Sequence, residues 1–184
     1  MLFRPAVIAD AKRLAEIYAP YVEHTAITFA TEPLTAAEFE QKILSPYPFV
    51  VCEVNGIVAG YAYASVLREK KAYRWAAEPS IYIDPSYQGM GIGKGLMERL
   101  LKLLALQKFQ SVYSCITLPN EKSIRLHEGF GFREVGHFEK SGYKLGKWHD
   151  VVWLYLPLAD FPENPAEPVP FAALGERDVC NIMK

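Results

Sequence analysis

Apolar residues recur along the chain with two spacings, one typical of strands and the other of helices. Residues 49–54 and 57–67 are rich in β-branched and aromatic side chains, and they flank Asn55-Gly56, a dipeptide that favours a tight hairpin turn. We therefore predict a β-hairpin there. Further strands are predicted at 2–7, 80–85, 111–117, 133–140 and 150–156.

Helical spacing predominates in several other segments. Residues 11–24 place Leu14 and Ile17 on one face behind Asp10 as N-cap. Pro20 should bend or end this helix, because proline lacks the N–H that a helix interior needs. Further helices are predicted at 36–44 behind a Thr35–Glu38 capping box, at 95–108, and from about Asn120. The alternation of strands and helices predicts an α/β fold with a mixed sheet.

The composition indicates a globular protein. The chain has 184 residues, of which 51% are hydrophobic and 22% charged, and its formal net charge is -1. We expect one domain with a substantial core and no attraction to nucleic acid or to an anionic membrane. No leader or long apolar run predicts a signal peptide or a membrane span. Cys52, Cys115 and Cys180 form no CxxC pair, which favours a reducing compartment and a cytoplasmic location.

The C-terminal end has a different composition. Five of the thirteen prolines fall within residues 157–170. Such a run cannot form a central strand or a helix interior. We expect an extension that wraps the surface or is partly disordered, and a polyproline segment that binds a partner is the alternative.

A dense glycine cluster lies between a predicted strand and the helix that follows it. The dinucleotide fingerprint GxGxxG fails because Lys94 and Leu96 stand three residues after Gly91 and Gly93, and the P-loop spacing fails as well. What remains is Q-x-x-G-x-G, which begins at Gln88. Free N–H groups at a helix N-terminus bind anions. The cluster therefore either holds a pyrophosphate or only makes a tight turn.

Three separate motifs, taken together, resemble one known family. They are YRWAAEPSIYIDPSYQGMGIGKGLM, LPNEKSIRLHEGFGFREVGHF and GYKLGKWHDVVWL, and they stand in that order. This combination resembles the phosphinothricin acetyltransferase-like branch of the GNAT N-acyltransferase superfamily. The resemblance covers residues 1–158 as one N-acetyltransferase domain and leaves 159–184 as a Pro-rich extension. It implies the GNAT fold, in which a mixed central sheet with flanking helices splays apart at the acyl-CoA site.

The same resemblance implies acetyl-CoA as cosubstrate and no metal. Strand backbone groups would hold the pantetheine and polarise the thioester carbonyl, while the glycine cluster would cradle the pyrophosphate. The cofactor-binding residues that it implies are Ile81, Tyr82, Ile83, Gln88, Gly89, Met90, Gly91, Ile92, Gly93, Lys94, Asn120 and Ser123.

Direct attack of an amine on the thioester, which the resemblance also implies, requires a base. Glu78 stands just before the cofactor strand and matches the family's candidate base, although it could instead form an ion pair or be solvated. His127 occupies the position of the family's proton donor. A lone helical histidine is also a common structural hydrogen-bonding group. Tyr113 and Tyr155 are alternative acids.

The sequence defines the acceptor site less closely than the cosubstrate site. Arg74, four residues before Glu78, could hold the carboxylate of an amino-acid acceptor, or it could be a surface charge. Trp148 and Asp150 are expected to order the last hairpin or to form part of a subunit interface. The acceptor-binding residues that the resemblance implies are Phe29, Glu32, Arg74, Trp75 and Ala76.

The resulting hypothesis is an acetyl-CoA-dependent N-acetyltransferase for a small amino acid such as phosphinothricin, methionine sulfone or methionine sulfoximine. Another small amine or a protein N-terminus is an alternative acceptor, and an acyl-CoA-binding module without turnover is an alternative of a different class. A homodimer is expected from the resemblance alone. His24, His137 and His149 share no metal-ligand spacing, so neither a metal nor nucleic-acid or membrane partners are expected.

Overall fold

Seven strands form one mixed sheet in the computed structural model, which describes residues 1–184. The strands are β1 (Leu2–Pro5), β2 (Phe49–Val54), β3 (Ile57–Val66), β4 (Ala76–Ile83), β5 (Ser111–Thr117), β6 (Arg133–Lys144) and β7 (Lys147–Pro157). Their order across the sheet is β1-β2-β3-β4-β5-β7-β6. Every neighbouring pair is antiparallel except β4 and β5, which are parallel.

Five α-helices accompany the sheet, and together they confirm the predicted α/β fold. They are α1 (Ala11–His24), α2 (Ala36–Ile43), α3 (Ile92–Leu106), α4 (Glu121–Glu128) and α5 (Glu176–Met183). No helix combines the length and the apolar character that crossing a membrane requires.

Two local signals in the sequence are confirmed at atomic detail. Asn55 and Gly56 both adopt positive φ, 52° and 78°, as the tight turn between β2 and β3 requires. At the start of α2, the Thr35 hydroxyl accepts the N–H of Glu38 at 3.3 Å, and the Glu38 carboxylate accepts the N–H of Thr35 at 2.8 Å. This reciprocal pair is the predicted capping box.

Helix α1 continues past Pro20 to His24, so Pro20 does not end it. The proline removes one backbone hydrogen bond from the last turn. Tertiary contacts compensate for that loss, because Val22 is only 2% exposed and the Tyr21 hydroxyl donates to the carbonyl of Ile83 at 2.5 Å. Packing of the apolar face therefore outweighs the local helix-breaking tendency.

Strand β4 begins at Ala76, four residues before the predicted start at Ser80. The early residues are short or charged and carry little strand propensity of their own. They are held from both sides, since Ala77 pairs with Val66 on β3 and with Val112 on β5. The longer strand places Glu78 within the sheet and not in a preceding loop.

The core lies on both faces of the sheet. On one face, α3 buries leucines and Met97 against the central strands, and Gly95 lets the ring of Phe3 pack directly on the helix. On the other face, α1 and α2 cover an aromatic cluster that includes Phe39 and Tyr61. These two layers fix the central strands from above and below.

The C-terminal extension is ordered against the body of the protein. Residues 159–170 form no helix or strand, and α5 follows at Glu176–Met183. Met183 is buried in the core on the α3 face, and its carbonyl accepts a hydrogen bond from Arg99 Nε at 3.2 Å. The extension thus wraps the surface and ends in a helix that the sequence reading did not predict.

Candidate active site

A gap opens in the middle of the sheet between β4 and β5. The two strands pair only at Ala76 with Ser111 and at Ala77 with Val112. Beyond Ala77, β4 pairs with β3 and β5 pairs with β7, but the edges that face each other have no strand partner. We call the point of separation at Ala77 and Val112 the vertex. Unpaired backbone groups along the gap are available to a ligand that lies in it.

Residues 81–83 form the β4 side of this gap. The side chains of Ile81 and Ile83 pack on the α3 face, while the ring of Tyr82 lies 4.8 Å from that of Tyr18 in the aromatic cluster. Packing on both faces holds the strand, and the backbone edge stays open toward β5. This arrangement suits the predicted role of residues 81–83 as backbone ligands.

The glycine cluster forms the turn between β4 and α3, at the far end of the gap from the vertex. Gly89 and Gly91 adopt φ values of 82° and 79°, and an added Cβ at either position would meet no atom within 4 Å. The N–H groups of residues 89–94 donate no hydrogen bond within the protein. A turn with open space and free donors at the N-terminus of a fifteen-residue helix is a suitable anion site.

Contacts with β4 and α1 hold this turn in place. Asp84 accepts the N–H of Ser86 at 2.8 Å and forms an ion pair with Arg13. Burial opposes ionisation, but these partners still lower the pKa of Asp84. Gln88 Nε2 donates to the Tyr21 hydroxyl at 3.3 Å. The position of the turn is thus fixed relative to the gap.

Helix α4 lies beside the same turn. An added Cβ on Gly93 would lie 3.6 Å from Leu126 of α4 and 3.2 Å from Ile83, so glycine allows the close approach of all three elements. The Asn120 side-chain oxygen caps α4 by accepting the N–H of Ser123 at 3.2 Å. The Asn120 amide nitrogen and the Ser123 hydroxyl are therefore the groups that remain to make the predicted contacts with the cofactor. Met90 and Lys94 are exposed beside them.

Glu78 is the first residue of β4 beyond the vertex. Its backbone pairs with Ser65 on β3, and its carboxylate accepts no hydrogen bond. Burial raises the pKa of Glu78, and the positive charge of Arg68 opposes that rise. A partly desolvated carboxylate at this point has the character of a base with increased proton affinity.

His127 has a different environment. It is 6% exposed, and its Nδ1 lies 2.8 Å from the carbonyl of Ser123. A carbonyl can only accept, so Nδ1 carries the proton and neutral His127 has none on Nε2. Burial lowers the pKa of His127, and its ring packs edge-on against Phe132 at 4.9 Å. These contacts are those of a side chain that orders α4.

A cavity of about 560 Å³ lies beside the vertex; Ala76 lines it and Glu78 does not. Side chains alternate along a strand, so Glu78 stands about 6.6 Å further along the same face as Ala76. Ten of the sixteen lining residues are hydrophobic. The lining includes Arg68, Trp75, Tyr113, Trp153, Phe161 and Pro165.

The predicted acceptor residues divide into two groups. Trp75 and Ala76 line the cavity, whereas the Phe29 ring packs directly on Gly142 of β6. Glu32 is exposed and makes no side-chain hydrogen bond or ion pair. Only the first group therefore contributes to the lining of the cavity.

Arg74 and Arg68 also occupy different environments. Arg74 Nε lies 2.8 Å from the carboxylate of Glu167 in the extension, and its guanidinium stacks over Trp75 at 4.2 Å. Arg68 lines the cavity, lies over Trp153 at 5.3 Å and forms no ion pair with the protein. Sequence reasoning did not select Arg68, because the basic run that contains it carries no spacing signal.

No three His, Cys, Asp or Glu side chains are grouped so that they could hold a metal ion.

The family model for the acetyltransferase (GNAT) domain matches residues 4–153. The chain belongs to the GNAT acetyltransferase family. As a member of this family it is an acetyl-CoA-dependent acyltransferase.

The chain is also similar to individual named members of this family. It is 40% identical over 170 residues to a phosphinothricin N-acetyltransferase of Streptomyces viridochromogenes, covering 90% of this chain and 93% of that one. It is 33% identical to an L-methionine sulfoximine/L-methionine sulfone acetyltransferase of Salmonella typhimurium, covering 86% and 95%. The crystal structure of a phosphinothricin acetyltransferase from Sinorhizobium meliloti with acetyl-CoA superposes with a TM-score of 0.85 at 35% identity, covering 91% and 94%.

The glycine turn provides a first prediction. Gly91→Ala should weaken acetyl-CoA binding about tenfold or more, because a Cβ at positive φ strains the turn and turns its N–H groups away from the pyrophosphate. Gly56→Ala is the matched control, since Gly56 has the same positive φ and the same open surroundings in a distant turn. Both variants should lose similar stability in thermal denaturation, and calorimetric titration should show weaker binding for Gly91→Ala alone. Equal affinity in both variants would contradict the assignment.

Proposed function

We propose that this enzyme transfers the acetyl group of acetyl-CoA to the amino group of a small amino acid of the phosphinothricin, methionine sulfone or methionine sulfoximine type. Relatives named for these acceptors support the substrate class. The single observation that carries the mechanism is the position of Glu78, a half-buried carboxylate one residue beyond the vertex.

The cosubstrate would lie along the gap. Its pyrophosphate would accept hydrogen bonds from the free amides of residues 89–94, and its pantetheine would pair with the open edge of β4 as an added strand does. This orientation carries the thioester toward the vertex. A backbone N–H of residues 81–83 would polarise the thioester carbonyl as charge develops on its oxygen, since Pro79 has no N–H.

The acceptor amine must lose a proton before it attacks. An amine with a pKa of about 8 is roughly one-tenth neutral at pH 7, which costs about 1.4 kcal/mol, and an amine of pKa about 10.4 costs about 4.6 kcal/mol. A carboxylate with a raised pKa accepts this proton more readily than an ordinary one. We assign this role to Glu78, acting directly or through a water molecule.

The departing thiolate needs little assistance. A thiol with a parent pKa of about 8.5 is a fair leaving group at neutral pH. The role of His127 as general acid stays a prediction that its surroundings disfavour. Burial lowers the pKa of His127, so little of the protonated form exists at pH 7. Its one proton in the neutral form is already donated to Ser123.

Arg68 is the better placed of the two arginines to hold the carboxylate of the acceptor. Its positive charge acts on Glu78, and its guanidinium lines the cavity. Arg74 instead pairs with Glu167. An amino acid whose carboxylate binds Arg68 would present its amine to Glu78 across a short distance, because both groups are on the same α-carbon.

Glu78→Gln should lower kcat about a hundredfold or more, because the amide cannot accept the proton. Acetyl-CoA affinity should not change, since Glu78 lies outside the pyrophosphate turn. In the wild type, kcat/KM should fall as pH drops through a value above the ordinary carboxylate range, because the raised pKa means that Glu78 protonates earlier. Thiol release measured between pH 5 and 9, with calorimetry for acetyl-CoA, tests both points.

The same experiment separates the enzyme from a binding module. A Glu78→Gln variant with full turnover would contradict the assignment of the base. Absence of turnover with every amine, together with intact acetyl-CoA binding in the wild type, would favour a module that binds acyl-CoA without catalysis.

Arg68→Gln should raise KM for amino-acid acceptors about tenfold, which corresponds to the loss of one charge-assisted contact. It should also move the acid limb of the pH profile upward, because the cation that opposes the raised pKa of Glu78 is removed. Acceptor pairs that differ only in the carboxylate, such as phenylalanine and 2-phenylethylamine, provide the control. If Arg74→Gln raised KM selectively for the amino acid and Arg68→Gln did not, carboxylate binding would belong to Arg74.

We also propose that two copies of the chain form a homodimer through the β6–β7 hairpin. β6 is an edge strand, and Trp148 and Tyr143 near the hairpin turn are 60% and 61% exposed although both are aromatic. Sedimentation of the 20.8 kDa chain should give a dimer mass, and Trp148→Glu should give monomers. Ile57→Glu, at an exposed apolar position in a distant turn, is the control that should stay dimeric. A monomeric wild type would contradict the proposal.

A further inference from the structure

The cavity beside the vertex is closed on one side by the C-terminal extension. Phe161, Pro162 and Pro165 line it, opposite the strand residues Tyr113 and Trp153. We call residues 159–165 the arch. Its lining atoms are apolar, and the charged group nearest to Glu78, Arg68, stands in the loop 67–76 and not in the arch.

The arch is anchored at its two ends only. Leu158 donates its N–H to the carbonyl of Gln110 at 2.8 Å, and Trp75 Nε1 donates to the carbonyl of Ala166 at 2.8 Å. Beyond the second anchor, Gln107 fixes Val169 through bonds of 2.9 Å and 2.7 Å. Residues 159–165 themselves make no hydrogen bond with the rest of the protein.

Proline rings, and not hydrogen bonds, restrict the backbone of the arch. Pro162 and Pro165 fix their own φ angles and restrict the residues before them. Phe161 adopts a φ of 50° and is 52% exposed, so its backbone conformation is uncommon for an aromatic residue. Such a segment keeps a defined shape over the cavity without being part of the core.

We propose that the space under the arch receives the side chain of the acceptor and that Phe161, Pro162 and Pro165 determine which side chains are accepted. This inference rests on the proposed function, because it assumes an amino acid whose amine faces Glu78 and whose carboxylate faces Arg68. With those two groups fixed, the side chain of the acceptor points along the cavity between Trp153 and the arch.

The size and lining of the cavity indicate the substrate class. A volume of about 560 Å³ lies in the range of about 300–1,000 Å³ typical of sites that enclose a drug-sized molecule. It exceeds what a short polar side chain would fill. Ten hydrophobic residues among sixteen favour a bulky apolar or aromatic side chain, since an apolar group gains from leaving water there. Among amino-acid acceptors, those with a long or bulky side chain, such as phenylalanine, should therefore be preferred to those with a short one, such as alanine.

The ratio of kcat/KM for phenylalanine to kcat/KM for alanine tests this assignment independently of overall activity. The wild type should prefer phenylalanine to alanine, and Phe161→Ala should lower this ratio about tenfold, because the aromatic wall is removed. Gly136→Val should lower it as well, since Gly136 lines the cavity and an added Cβ has its nearest neighbour 3.7 Å away at Phe138. Asn164→Ala, in the same arch but outside the lining, should leave the ratio unchanged.

A second readout does not depend on turnover. Trp75 and Trp153 both line the cavity, so phenylalanine binding should change tryptophan fluorescence, and Phe161→Ala should weaken that binding. Thermal denaturation of each variant verifies that it is folded. Turnover with a ratio that neither Phe161→Ala nor Gly136→Val alters would overturn the inference and leave the proposed function standing. Absence of transfer to any amino acid, with acetyl-CoA still bound, would overturn both.

Discussion

The active site depends on the loss of pairing between β4 and β5 after two residue pairs. A strand edge inside a sheet normally leaves no backbone group unpaired, because each buried N–H or carbonyl without a partner is costly. Here the sheet stays intact around the gap, since β4 is paired with β3 from Ala77 to Ile83 and β5 is paired with β7 along its full length. The open edges can therefore exist without unfolding the sheet. In the proposed mode of binding they would supply hydrogen-bonding groups to a cosubstrate that takes the place of the missing strand.

The vertex also sets the electrostatics of the chemistry. Close to the paired residues the site is partly desolvated, and burial raises the pKa of Glu78. Arg68 opposes this shift, because its positive charge favours the ionised form of the carboxylate. The position of Glu78 along β4 thus determines both the proton affinity of its carboxylate and its access to the acceptor amine.

Sequence patterns predicted the features that arise from local interactions. The Asn55-Gly56 turn, the Thr35–Glu38 capping box and the glycine cluster are each determined by a few neighbouring residues. The start of β4 was misplaced because its first residues are held by two partner strands and not by their own propensity. The sequence reading chose Arg74 for its spacing from Glu78. Its pairing with Glu167 could not be foreseen, because the path of a proline-rich segment depends on tertiary anchors.

The two substrates are held by parts of the protein that differ in construction. The acetyl-CoA site uses strand edges and a helix N-terminus, whose geometry is fixed by the sheet and by buried packing on both faces. The cavity is lined by β5, β6 and β7 and is closed by the loop 67–75 and residues 159–165, which have few hydrogen bonds to the body. Substitutions in these segments cost little core stability and change the shape of the cavity directly. For this reason a motif in the sequence predicts the cosubstrate closely, whereas the acceptor has to be inferred from the folded cavity.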